Sequence, residues 1–202
     1  MIIAIANPKG GSGKSVTTIN LEYYLEPSIL IDLDIHEGIS QLNDLRIKPL
    51  NIKLPINERE LVSLLEQDNS KTIILVDCGG YDSDLIRIVL SNADFIITPS
   101  NDDPQEQQAV VKFNDILADI SKSIGHKIKT HILINRVHPS RKSFNDFQEL
   151  ILNLEHCELF NIVIPYSAQI PKAMFFGHAV KSGNIAARYN KIATQINTLL
   201  DT

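Results

Sequence analysis

Six runs of unbroken apolarity, each no longer than a strand, punctuate this chain: Ile2 to Ala6, Ile29 to Leu33, Thr72 to Asp77, Asp94 to Thr98, His131 to Asn135 and Phe160 to Ile164. A strand with one wet face alternates apolar and polar residues, whereas continuous apolarity marks a strand buried on both faces. Helix-length segments separate the runs: Lys14 to Leu25, Glu58 to Glu66, Asp82 to Ser91, Gln105 to Ile124, Arg141 to Leu154 and Ile185 to Leu200. In the last of these, Ile185, Tyr189, Ile192, Ile196 and the Leu199/Leu200 pair recur at three- and four-residue spacings as one apolar stripe. The alternation predicts an α/β fold, a single domain with a mostly parallel twisted sheet covered by helices on both faces. At 202 residues and 44% hydrophobic the chain suits one such domain spanning residues 1–202, and no linker-like tract divides it. Arg46 to Pro55, with two prolines and weak periodicity, reads as a surface excursion.

No apolar run approaches the roughly 18 to 20 residues of a membrane-spanning helix. Met1 to Ala6 is also too short for a signal-peptide core, so a cytoplasmic location is expected. Cys78 and Cys157 offer neither a disulfide framework nor paired metal-ligand spacing.

The first strand runs straight into Asn7-Pro8-Lys9-Gly10-Gly11-Ser12-Gly13-Lys14-Ser15, and a helical pattern begins at once. The clustered glycines let the backbone turn tightly, so that successive N–H groups and the helix N-terminus converge on one anion. That is a phosphate cradle, running from Gly10 to Val16. Lys14 would place its ammonium on the β- and γ-phosphates of a nucleotide, and the Ser15 hydroxyl would take a coordination position on Mg²⁺. The run Thr72 to Asp77 ends in a carboxylate at the carboxyl end of a buried strand, where it could hold the water shell of that Mg²⁺. Asp32 and Asp34 share one face of another strand end and would look toward the same loop.

The loop carries Pro8 and then Lys9 where the general phosphate-loop pattern has its first glycine. Lys9-Gly10-Gly11-Ser12-Gly13-Lys14-Ser15 resembles the deviant Walker motif K-G-G-x-G-K-[ST] of the ParA/MinD family of P-loop ATPases. The resemblance implies that Lys9 is a signature lysine reaching across an ATP-sandwiched homodimer to the partner's phosphates. It implies that Asp34 positions or activates the attacking water and that Asp32 supports the metal shell. The family's Pro-Gln after that acid is Ile35-His36 here. His131 to Arg136 is similar to the family strand whose Asn, here Asn135, pairs with adenine, and Ile164-Pro165 to the step flanking the base, which would put Pro165 there.

With the phosphate loop starting at residue 7 and two residues after Leu200, neither an N-terminal operator-binding domain nor a C-terminal lipid-binding helix is expected. The chain resembles the short ParA type. That implies a slow, partner-stimulated ATP hydrolase that binds DNA without sequence preference, associates with the nucleoid when ATP-bound, and answers to a ParB-like or small centromere-binding protein. A net charge of −5 argues against a nucleic-acid partner only on average. Residues 127–202 hold nine Lys+Arg against five Asp+Glu, whereas residues 1–126 hold ten against nineteen. Arg141, Lys142, Lys172, Lys181, Arg188 and Lys191 on the basic lobe are therefore the candidate DNA contacts. Two alternatives remain open: the same ATPase positioning a protein cargo, and a small-molecule P-loop enzyme, against which Lys9 argues.

Overall fold

The first strand ends up at the centre of the molecule. The computed structural model describes residues 1–69 and 72–200, and the Leu199 and Leu200 side chains expected to close the last apolar stripe lie outside what it describes. In chain order the elements are β1 (Ile2–Ile5), α1 (Lys14–Leu25), β2 (Ile29–Asp32), α2 (Gly38–Asp44), β3 (Ile52–Lys53), α3 (Glu58–Leu65), β4 (Ile74–Asp77), α4 (Asp84–Asn92), β5 (Phe95–Ser100), α5 (Pro104–Ile124), β6 (Thr130–Val137), α6 (Asn145–Leu152), β7 (Cys157–Pro165), α7 (Gln169–Met174) and α8 (Gly183–Leu200). The strands form one seven-stranded sheet in the order β3-β2-β4-β1-β5-β6-β7, and every pairing is parallel.

The continuous apolarity of the strands has the expected consequence. Alternate residues of β1 feed opposite cores. Ile3 and Ile5 pack with Ile19 and Leu21 of α1 and with Ile192 and Ile196 of α8, while Ile2 and Ala4 pack with Leu61 of α3, Leu90 of α4 and Phe113 of α5. A third cluster, including Val110, Ile134 and Phe147, joins α5, β6 and α6. From β1 the chain moves to β2 on one side; after β4 it crosses β1 to β5 on the other. Loops leaving the carboxyl ends of β1, β2 and β4 therefore diverge around one crevice, the place where open α/β sheets bind ligands.

Three elements were not anticipated. β3 lies inside the segment read as a surface excursion and pairs only two residues with β2, since Pro49 and Pro55 flank it. α2 and α7 span seven and six residues, too few for a periodic pattern to register. α6 begins at Asn145 rather than Arg141: residues 141–144 are irregular, and the Ser143 hydroxyl donates to Asn145 Oδ1 at 2.7 Å. Among the described residues no helix is long and apolar enough to cross a membrane.

Candidate functional site

The glycine loop is stapled to the sheet before it reaches α1. Asn7 Nδ2 donates to the Pro99 carbonyl at 2.9 Å, and its Oδ1 accepts from the Lys9 N–H at 2.8 Å, tying the loop to the end of β5. Gly13 turns into the helix at φ +101°, a conformation that favours glycine, and no side chain caps the first turn of α1. The uncapped N–H groups there suit an anion. Lys14 is buried, and its ammonium donates to the Lys9 carbonyl at 3.3 Å, lying back along the loop. Asn135 at the end of β6 donates to the Ser12 carbonyl at 3.0 Å and supports the loop from beneath.

Adjacent strands bring the carboxylates to the same level. Asp32 and Asp77 are register partners across β2 and β4. The Asp77 carboxyl is fully buried; its Oδ1 accepts from the Thr18 hydroxyl of α1 at 2.9 Å, and its Oδ2 has no hydrogen-bond partner. Burial pushes Asp77 up to about 7, an effect that the Asp32 charge reinforces and that the Ser15 and Thr18 hydroxyls and the Lys14 ammonium oppose. Asp32 is occupied differently. Its Oδ1 accepts from the Asp34 N–H at 3.0 Å and its Oδ2 from the Ser40 N–H and hydroxyl at 3.1 and 2.8 Å, and burial raises its pKa against those bonds. Both oxygens thus brace the turn that carries Asp34. Asp34 is half-buried, accepts from the His36 N–H at 2.9 Å, and lines a cleft of about 510 Å³ with Gly10, Lys14, Ser15, Tyr81 and Arg136.

This donor set fits a magnesium nucleotide. Mg²⁺ prefers few protein ligands and shares its shell with phosphates and waters. Among the described residues no cluster of three His, Cys, Asp or Glu side chains would cage a metal unaided. What the site does offer is the unpartnered Asp77 Oδ2 and the nearby Ser15 hydroxyl, with a lysine and open N–H groups beside them for phosphate oxygens. Gly38, the first residue of α2, fixes where the Ser15 hydroxyl sits: a Cβ there would lie 2.6 Å from Ser15 Oγ. Alanine at 38 suits the helix better than glycine, yet it forces Ser15 to rotate. Gly38→Ala is therefore expected to leave the melting temperature unchanged or raised and to increase the Mg²⁺ concentration needed for nucleotide binding by about tenfold. A magnesium titration of a fluorescent ATP analogue reads this, and an unchanged midpoint would remove Ser15 from the metal shell.

The family model described as the CobQ/CobB/MinD/ParA nucleotide binding domain matches residues 3–180. The chain belongs to this family. Its curated relative "Protein ParA" of Rhizobium radiobacter is 24% identical over 149 residues, covering 70% of this chain and 67% of that protein. Among solved structures, a chain of the MinC:MinD cell division protein complex of Aquifex aeolicus superposes with a TM-score of 0.74 at 18% identity, covering 98% of this chain and 96% of that one. A putative plasmid partition protein of Borrelia burgdorferi B31, bound to AMPPNP, does so with a TM-score of 0.67 at 16% identity, covering 98% of each chain. The seven-stranded parallel sheet with helices on both faces is the ParA/MinD fold.

The loop brings Gly10, Gly11, Gly13, Lys14, Ser15 and Val16 to one cleft that Asp34 also lines. Ser12 is buried behind the loop, and its hydroxyl has no partner. Lys9 turns away from the cradle, its Nζ 2.8 Å from Glu106 Oε1. Asn135 and Pro165 do not line the cleft: the Asn135 amide nitrogen is committed to Ser12, and Pro165 is paired with Val137 at the end of β7. The basic candidates divide into two groups. Arg141 is ion-paired with Asp102, and Arg188 donates to the Val163 carbonyl at 2.6 Å and to Asn184 Oδ1 at 3.0 Å, capping the outer strand. Lys142, Lys172, Lys181 and Lys191 are exposed. Thr18, Ser40, Glu106, Tyr81 and Arg136 complete the site without having been anticipated. Each joins it through a contact between segments distant in sequence or through a loop with no motif of its own.

Proposed function

We propose that this chain is a Mg²⁺-dependent ATP hydrolase that closes as an ATP-bound homodimer and uses the nucleotide to switch non-specific DNA binding, so that DNA cargo is partitioned or positioned. The observation that carries the reading is the second loop lysine, Lys9, which immediately precedes the glycines of a cleft that Lys14 lines. A cation supplied across a dimer stabilises transition-state charge only once both subunits have closed. Gly10 to Val16 and Lys14 would hold the phosphates, Ser15 and Asp77 the Mg²⁺, and Asp34 the attacking water, with Asp32 acting through the turn it braces. ATP supplies the phosphoryl group whose transfer to water drives the cycle. Asn135 Oδ1 is a buried acceptor with no partner, so pairing with the adenine amine would require the side chain to leave Ser12 and turn out toward the cleft. The homology to a ParA protein supports DNA as the cargo and a ParB-like or small centromere-binding protein as the partner, with the ATP form on the nucleoid.

The DNA surface is assigned to the four exposed lysines, Lys142, Lys172, Lys181 and Lys191, of which Lys181 also lies over the Tyr23 ring at 4.8 Å, since protein oxygens engage both arginines. Four contacts per subunit bind weakly, a dimer doubles them, and counterion release makes affinity steep in their number. Retention on immobilised non-specific DNA is expected with ATP and Mg²⁺, absent with ADP, and weaker by about 10³-fold or more between 50 and 200 mM salt. Retention indifferent to nucleotide would sink the reading. A second reading, the same ATPase with a protein cargo, is favoured by one observation: Phe175 and Phe176 at the end of α7 are 74% and 54% exposed. It predicts ATP-driven dimers that ignore DNA.

A further inference from the structure

Glu106 is a buried carboxylate that the phosphate chemistry leaves unused. It sits in the first turn of α5, which Pro104 starts, and its side chain is 1% exposed. Oε1 accepts from Lys9 Nζ at 2.8 Å and from an Arg136 guanidinium nitrogen at 3.2 Å, while Oε2 has no hydrogen-bond partner. The two cations reach in from the rim, with Lys9 33% and Arg136 42% exposed. Arg136 stands at φ +54° where the β6/β7 register shifts between Asn135 and Val137, and such an irregularity re-aims a side chain beside a site. The Lys9 backbone is held by Asn7, so its four-carbon stem is the part free to swing.

One buried carboxylate thus serves two cations. A buried ion stripped of its only partner is strongly unfavourable, but here one cation can leave while the other stays. We propose that Glu106 is a positioning residue for Lys9: it holds the lysine in its own subunit until ATP closes the dimer, then releases it toward the partner's phosphates while Arg136 neutralises the carboxylate left behind. This rests on the reading of Lys9 as a residue that acts across the dimer. Two opposite effects follow. Losing the Glu106 charge frees Lys9 and favours closure, whereas losing Arg136 leaves the departing lysine nothing to hand the carboxylate to and opposes closure.

The test is dimerisation with AMPPNP and Mg²⁺, read by sedimentation velocity without turnover. Glu106→Gln is expected to lower the protein concentration at half-dimerisation by about tenfold, and Arg136→Gln to raise it by about tenfold. A merely structural ion cluster would shift both variants the same way. Shifts of the same sign, or a Glu106→Gln protein of ordinary melting temperature that dimerises no better, overturn the assignment. If Glu106→Gln does not fold, Arg136→Gln decides alone at AMPPNP concentrations that saturate the variant: weaker dimerisation supports the assignment, and unchanged or tighter dimerisation overturns it. Lys9→Gln separates the two layers. If it dimerises as well as the parent, the trans role of Lys9 is wrong and the Glu106 assignment falls with it; if it stays monomeric while Glu106→Gln changes nothing, only the Glu106 assignment falls.

Discussion

Asp34→Ala is expected to lower the rate of ATP hydrolysis by about 10² to 10⁴-fold, the usual contribution of a group that orients or deprotonates an attacking nucleophile. ATP affinity should stay within a few-fold of the parent. The asymmetry follows from where Asp34 stands. It makes no bond to Lys14, Ser15 or the glycine loop, so its removal leaves the cradle intact. Its position is nonetheless fixed: the backbone N–H is held by Asp32 Oδ1 and the carboxylate by the His36 N–H. Single-turnover hydrolysis beside binding of a fluorescent ATP analogue separates the two quantities. Because binding and closure precede hydrolysis in the proposed cycle, the variant should also accumulate as an ATP-bound dimer that elutes early in gel filtration. Hydrolysis at the parental rate would remove Asp34 from the chemistry. Loss of ATP binding instead would mean that the turn from Asp32 to Ser40 builds part of the cradle.

What the sequence discloses and what it conceals divide along one physical line. The limits of α1 are legible to the residue because the Gly13 turn fixes where the helix starts. The six long strands are legible because burial on both faces writes itself as unbroken apolarity. β3, α2 and α7 escape because two to seven residues cannot display a period. Within the candidate site, residues placed by their own local element, such as Lys14, Ser15 and Asp77, lie close together and are named by motif. Those whose role is a partnership are not: Lys9 meets Glu106 across 97 positions of sequence, and Asn135 meets Ser12 across 123. The basic lobe shows the same limit. A charge count treats Arg141 and Lys142 alike, and both are exposed, yet Asp102 engages the first and not the second.

The acidity of Asp77 gives the nucleotide site a pH dependence whose sign differs from that of a surface carboxylate. Its pKa stands at about 7 in the folded chain, against an ordinary 3.8, because burial disfavours the charge more than Thr18, Ser15 and Lys14 favour it. Between roughly pH 4 and 7 the folded chain therefore binds more protons at this position than the unfolded chain does, and Asp77 makes the nucleotide-free protein less stable as pH rises through that window. A salt-bridged aspartate does the reverse. In the proposed site, however, Mg²⁺ would select the carboxylate, so binding of a magnesium nucleotide is expected to expel the proton below pH 7. Apparent affinity for Mg²⁺-AMPPNP is thus expected to fall by about tenfold per pH unit below 7 and to level off above it. Asp77→Asn mimics the protonated form: it should flatten the dependence, melt higher than the parent at pH 7.5 without nucleotide, and bind the magnesium nucleotide weakly throughout. Calorimetric titrations from pH 5.5 to 8, in buffers of different ionisation enthalpy, count the proton directly. The nucleotide's own phosphate titration is common to both proteins and cancels in the comparison. Equal pH slopes for the parent and Asp77→Asn would show that the buried carboxylate is already ionised before the metal arrives. The unpartnered Oδ2 would then be a charge held ready by Lys14 rather than a proton waiting to be displaced.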